Sequence, residues 1–213
     1  MYKTKDIIKN NYKFIILLIS LVLFLFLAED VFNKDIVRCD IIGYSIIKSF
    51  INSSNTQVMK VITWFGSATC LILLTIILFI VLKNKITGFL IAINLVIVTI
   101  LNQLLKFVLQ RPRPDDYRLI DESGYSFPSG HSMISMAFYG YLIYLIYKSK
   151  FNKYVKIILI TIFVFLILFI GISRIYLGVH YTSDVIAGIL LSISYLIVFI
   201  KLFKNDKEEC YEK

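Results

Sequence analysis

Apolar residues run through this chain in blocks too long for strands and too uniform for ordinary amphipathic helices. A helix that crosses a bilayer needs roughly 20 apolar residues, with some tolerance below that. Six segments meet or approach this length: about 14–28, 58–82, 86–105, 132–147, 157–173 and 185–203. The pattern predicts an all-α, polytopic membrane protein, a six-transmembrane-helix bundle forming a single domain over 1–213. No internal repeat, low-complexity tract or long linker divides it. The first block is short and follows a Lys-rich start, so a signal peptide is one reading. Ala28 runs directly into Glu29 and Asp30 without a small-x-small cleavage pattern, which favours an uncleaved anchor.

One stretch outside the blocks has a period of its own. Ile42, Ile46, Ile47, Phe50 and Ile51 approximate a helical stripe. A helix on the bilayer surface and a lid packed on the bundle both account for it.

Composition agrees with the bilayer. Charged residues reach only 17% against 58% hydrophobic, too few to cover a soluble domain of 213 residues. The net charge of +9 raises nucleic-acid binding, but the lysines cluster between apolar blocks, where they orient a chain across a membrane. With the N-terminus cytoplasmic, 14 of the 23 Lys and Arg residues fall inside: Lys3, Lys5, Lys9, Lys13, Lys83, Lys85, Lys148, Lys150, Lys153, Lys156, Lys201, Lys204, Lys207 and Lys213. Four of the other nine, Lys106, Arg111, Arg113 and Arg174, stand in the motif regions described next. The expected topology in the cell membrane has both termini cytoplasmic, with the 106–131 and 174–184 regions on the outer face. Cys39, Cys70 and Cys210 have neither metal-ligand spacing nor a disulfide framework and read as unpaired thiols.

Gly and Pro concentrate at 111–130 and 171–178, and the chemistry gathers in the same stretches. Lys106 ends the third span, and Pro112 and Pro114 stop the helix beyond it. Taken alone, such a lysine snorkels to the headgroups; an arginine held between prolines suits bidentate recognition of phosphate. Pro128-Ser129-Gly130-His131 opens the fourth span, where backbone N–H groups and the helix dipole favour an anion. Ser132 is available as a plain N-cap, but a cap does not explain a histidine beside a hydrophobic span. Arg174 follows the fifth span, and His180 and Asp184 stand four residues apart, on one face if the last helix starts near them. An aspartate on one imidazole nitrogen fixes the tautomer and frees the other to attack; a structural pair closing the helix start is the alternative. The chain has two histidines, and both fall in these clusters.

Lys106 to Arg113-Pro114, then Pro128-Ser129-Gly130-His131, then Ser173-Arg174 to His180 to Asp184 resembles the signature of the type 2 phosphatidic acid phosphatase superfamily, without a gap in any spacing. Arg111-Pro112 duplicates one element, but the six-residue spacer selects Arg113. The resemblance implies that His180 is a nucleophile forming a phosphohistidine, oriented by Asp184, with His131 as general acid. Lys106, Arg113, Arg174, Ser129 and the Gly130 amide would bind the phosphoryl oxygens. It implies a lipid phosphate substrate (undecaprenyl diphosphate, phosphatidylglycerol phosphate or phosphatidate), no cofactor, no nucleic acid and no obligate protein partner. Three cations and a helix N-terminus would replace a metal. A magnesium site on Asp115-Asp116 and Asp121-Glu122 is the competing expectation; otherwise those acids are solvated surface. A lipid phosphotransferase on the same fold, a lipid-binding protein without catalysis and a transporter are the alternative functions.

Overall fold

The computed structural model describes residues 2–34, 37–115 and 117–203, with residues 2–10 as backbone alone. Asp116, Lys204, Lys207, Cys210 and Lys213 lie outside the described residues. The chain forms eight helices and no strands among the described residues: α1 (Tyr2–Phe32), α2 (Arg38–Lys48), α3 (Ser53–Trp64), α4 (Ala68–Val81), α5 (Lys85–Leu109), α6 (Gly130–Lys148), α7 (Lys153–Tyr176) and α8 (Thr182–Phe203).

Among the described residues, four helices are long and apolar enough to cross a membrane: Asn11–Phe32, Lys85–Leu109, Lys153–Tyr176 and Thr182–Phe203. Two of the six expected spans depart from a simple crossing. The apolar block 58–82 is not one straight helix, because α3 and α4 meet at a 45° bend. At that bend a side chain on Gly66 would place Cβ 2.7 Å from Ile170 Cγ2 and 2.8 Å from Ser135 Oγ, so only glycine lets the junction lie this close to α6 and α7. The backbone groups the bend releases find partners. Tyr139 donates its hydroxyl to the Phe65 carbonyl at 2.7 Å, and Ser67 caps α4 by accepting from Cys70 N–H.

The segment 132–147 does form a helix, α6, but it is less apolar than the four candidates. Its position explains why. α6 packs against α5, α7 and α8 at the centre of the bundle, with Ser132, Met133, Ser135, Ala137, Phe138 and Tyr139 buried. A helix surrounded by protein needs no apolar face for lipid. α1 and α7, at the periphery, turn most of their apolar surface outward.

Polar contacts stitch the bundle together. Asn94 Nδ2 donates to the Ala137 carbonyl at 3.0 Å, Asn102 Nδ2 to the Pro128 carbonyl at 3.2 Å, and Ser192 Oγ to the Met133 carbonyl at 2.6 Å. Such interhelical bonds contribute about 0.6 kcal/mol each on average. Asn94 and Asn102 thus tie α5 to α6 and the turn before it, whereas their neighbour Gln103 is exposed.

The stripe at 42–51 divides between its two readings. Ile47 and Ile51 pack against a cluster of Tyr176, Leu177 and Val179, while Ile42, Ile46 and Phe50 face outward. α2 is therefore seated across the ends of α7 and α8, and it carries Cys39.

Candidate active site

The motif residues stand at helix ends or in the loops that join them, and all of these meet at one end of the bundle. α5 and α7 deliver Lys106 and Arg174 from their last turns, while α6 and α8 deliver His131 and Asp184 from their first. The loop between α5 and α6 returns Arg113 to the same place.

His180 and Asp184 form the buried centre, 2% and 0% exposed in their side chains. His180 Nδ1 lies 3.3 Å from Asp184 Oδ2, which also accepts the Tyr181 N–H at 2.9 Å. That second bond is half of a capping box: a side chain in the first turn of α8 reaches back to the N–H just before the helix. The structural alternative for this pair is thus part of its geometry, because one carboxylate closes the helix start and holds the imidazole. Arg113 Nη1 approaches His180 Nε2 at 3.0 Å. A guanidinium only donates, so Nε2 must accept and the ring proton sits on Nδ1, facing Asp184. Burial, opposed by Asp184 and reinforced by Arg174 and Arg113, pushes the His180 pKa from 6.5 down to about 4. The imidazole is therefore neutral at physiological pH with its lone pair on Nε2.

Because the chain has two histidines, a His131→Gln variant leaves His180 as its single imidazole. Nitrogen NMR of that variant is expected to show the Nδ1–H tautomer and at most about a tenth protonation between pH 5 and 8. The sign follows from the lowered value: protonation begins only as the pH falls toward 4. A midpoint between 6 and 7 would contradict the geometry.

Beside this centre a cavity of about 810 Å³ is lined by Lys106, Arg113, Glu122, Gly130 and His131 and opens along the apolar faces of α4 and α5 through Leu71, Leu95, Thr99 and Ile100. Arg174 is 1% exposed, donates from Nη1 to Thr63 Oγ1 at 2.9 Å, and leaves its buried Nε–H without a partner among the described residues. Glu122 spans the two arginines, 2.6 Å from Arg174 Nη2 and 3.5 Å from Arg113 Nη2. Burial alone would raise its pKa, but Arg174 and Arg113 outweigh burial and hold the carboxyl below its ordinary value. Glu122 is therefore not the solvated surface acid expected from sequence. Asp115 pairs with Arg118, and Asp121 is exposed.

Two further placements were not legible beforehand. Ser129, not Ser132, caps α6: it accepts from Ser132 N–H, its Oγ shares a 2.9 Å hydrogen bond with Ser132 Oγ, and it is fully buried. Its neighbour Gly130 lines the cavity. Arg111 binds Asp184 Oδ1 at 2.6 Å while Arg113 binds His180 Nε2, so the duplicated Arg-Pro serves two different positions.

The PAP2 superfamily model matches residues 72–208. Phosphatidylglycerophosphatase B of Bacillus subtilis is 37% identical over 98 residues, covering 44% of this chain and 47% of that relative, so the match spans about half of its length. An undecaprenyl-diphosphatase of Sulfolobus acidocaldarius is 27% identical over 206 residues, 91% of this chain and 93% of the relative. Among solved structures, a transmembrane PAP2 type phosphatidylglycerolphosphate phosphatase from Bacillus subtilis superposes with a TM-score of 0.77 at 29% identity, over 88% of this chain and 96% of that one. LpxE of Aquifex aeolicus gives 0.62 at 26% identity, over 74% and 92%. Three motifs meeting at one end of an apolar helical bundle, and these relatives, have one explanation: the chain is a multi-pass membrane protein that belongs to the PAP2 superfamily.

Proposed function

We propose that the protein hydrolyses the terminal phosphate of a membrane lipid phosphate or diphosphate, with His180 as nucleophile. The observation that carries this reading is the neutral His180 held between Asp184 and Arg113 beside a cavity lined by Lys106, Arg113 and His131. Phosphoryl transfer asks mainly for positioning and charge neutralisation. In the first step the Nε2 lone pair attacks phosphorus and Arg113 exchanges Nε2 for a phosphoryl oxygen. The phosphorus–oxygen bond to the lipid breaks as His131, which takes up a proton when the anionic phosphate binds, passes it to the leaving oxygen. In the second step water attacks the phosphohistidine, His131 takes its proton, and the phosphorus–nitrogen bond breaks to release inorganic phosphate. Lys106, Arg113, the unpartnered Arg174 Nε–H and the Gly130 amide at the start of α6 neutralise the phosphoryl oxygens, without a metal. The Ser129 hydroxyl contributes through the turn it caps.

The cavity's apolar opening between α4 and α5 suits a substrate whose tail stays in the bilayer. This reading takes six crossings, with α3–α4 as a broken span and α6 at the centre, the site and the 106–131 region on the outer face of the cell membrane, and both termini cytoplasmic. The lysine distribution supports this orientation. Undecaprenyl diphosphate and phosphatidylglycerol phosphate are the favoured substrates, in line with the functions of the two curated relatives.

The test is a substrate panel on the purified protein with EDTA present: undecaprenyl diphosphate, phosphatidylglycerol phosphate, phosphatidate and a soluble phosphomonoester. Phosphate is expected to be released from the lipids at rates unchanged by the chelator. Loss of turnover in EDTA, restored by Mg²⁺, would refute the metal-free mechanism. Phosphate appearing on an acceptor lipid instead of in solution would identify a phosphotransferase.

A further inference from the structure

The buried pair at the centre of the site does not end at Asp184. Arg111 donates from Nη1 to Asp184 Oδ1 at 2.6 Å and from Nη2 to Asp40 Oδ2 at 2.7 Å. Ser183 binds the same groups: its N–H donates to Asp40 Oδ1 at 2.7 Å, and its Oγ lies 2.9 Å from Asp40 Oδ2 and 2.7 Å from Arg111 Nη1. The three charged side chains are largely removed from water, at 0% exposure for Asp184, 9% for Asp40 and 12% for Arg111. The ring of Tyr181 lies against the guanidinium, 4.0 Å from its central carbon.

Neither Asp40 nor Arg111 lines the cavity that holds Lys106 and His131. Arg111 is spent on two carboxylates, so a phosphate is not its partner. What it does to Asp184 is mechanical and electrostatic. A carboxylate with one oxygen on a fixed guanidinium cannot rotate, so its other oxygen stays on His180 Nδ1. The adjacent positive charge keeps it ionised. Asp40 performs the same service for Arg111 and also caps α8 from outside, by accepting the otherwise unpaired Ser183 N–H of its first turn.

We propose that Arg111 and Asp40 are positioning residues for the phosphoryl transfer. The chain Asp40–Arg111–Asp184–His180 aligns the attacking imidazole and makes that alignment depend on how α2 is seated. This rests on the reading of His180 as nucleophile. The structure also offers a way to move Asp40 without changing a charge. Gly43, in the next turn of α2, sits so close to Thr182 that an added Cβ would lie 2.1 Å from its Oγ1. An alanine there must lift α2 off the start of α8.

The experiment uses the full chain in detergent with a short-chain phosphatidate, comparing Arg111→Gln, Arg111→Lys, Asp40→Asn and Gly43→Ala with Arg113→Gln. Loss of the groups that orient a metal-ligating histidine typically costs about 10–100-fold, and the same scale is expected for an oriented nucleophilic one. For Arg111→Gln, kcat is expected to fall by about 100-fold, and for Asp40→Asn and Gly43→Ala by about tenfold, with KM within about threefold of the parent in each. Arg111→Lys, which keeps the charge, is expected to recover about tenfold of the lost kcat, and Asp40→Asn added to Arg111→Gln to cost little more than Arg111→Gln alone. Arg113→Gln, by contrast, is expected to raise KM. Rapid-quench trapping should show slower formation of the phosphoenzyme in the positioning variants. Values of kcat within twofold of the parent in Arg111→Gln, or a loss confined to KM, would overturn the proposal. Should Arg111→Gln not fold, by thermal unfolding in detergent, the same criteria applied to Asp40→Asn and Gly43→Ala decide it. Parent-level activity in His180→Ala would overturn the nucleophile reading instead, which separates the two failures.

Discussion

A His180→Ala variant is expected to lose lipid phosphate release almost completely, with kcat down by at least about 10⁴-fold. The size of the loss follows from what is left behind. Lys106, Arg113, Arg174 and the start of α6 would still bind a phosphoryl group, so substrate affinity should change far less than turnover. His131 cannot take over the attack, because it serves α6 and the cavity wall and lacks a carboxylate to orient it among the described residues. The variant should fold, since Asp184 keeps Arg111 and the Tyr181 N–H. Two measurements check the prediction on a short-chain lipid phosphate in detergent: the rate of phosphate release, and trapping of an acid-labile, base-stable phosphoenzyme in the parent but not in the variant. Release at the parent rate would remove His180 from the mechanism. Loss of release with the phosphoenzyme still forming would move the nucleophile to another side chain.

How far the sequence carries can be judged from individual residues. The His180–Asp184 contact was legible because four-residue spacing at a helix start is a local constraint, and the structure adds only that the helix begins two residues later. The peripheral helices were legible because a lipid-facing surface needs an unbroken apolar run. The bend at Gly66 was not, since hydropathy averages over 58–82 and a single glycine leaves no dip. α6 misleads in the opposite way: its serines, tyrosines and glycines lower its hydropathy because protein surrounds it. Glu122 was invisible because nothing local distinguishes it from Asp121; only the return of the 110–129 loop sets it between two arginines. Asp40 and Arg111 are 71 positions apart, beyond any periodicity argument. A signal was nonetheless present. A second Arg-Pro beside the first had no assigned role, and the fold pairs its arginine with Asp40.

Asp184→Asn is expected to be nearly as damaging as loss of the nucleophile, with kcat lower by about 10³–10⁴-fold, although the substitution preserves shape. The carboxylate sits between donors on every side: Arg111 Nη1 on Oδ1, and the Tyr181 N–H and His180 Nδ1–H on Oδ2. An amide has one acceptor oxygen and one donor nitrogen, so one side must receive a donor against a donor. If the nitrogen faces Arg111, the guanidinium keeps Asp40 but meets a donor where its second counter-charge stood, and is pushed off Asp184. If it faces His180, the ring must move its proton from Nδ1 to Nε2, which both meets the Arg113 N–H and removes the lone pair that attacks phosphorus. Either outcome disables the imidazole while leaving Lys106, Arg113 and Arg174 in place, so KM should stay close to the parent value as kcat collapses. The nitrogen NMR signature of His180 discriminates between the two: an Nε2–H tautomer marks the relocated ring proton, an Nδ1–H tautomer the displaced arginine. Parent-like kcat in this variant would mean that Asp184 only closes the first turn of α8, and the four-residue chain from Asp40 to His180 would lose its central link.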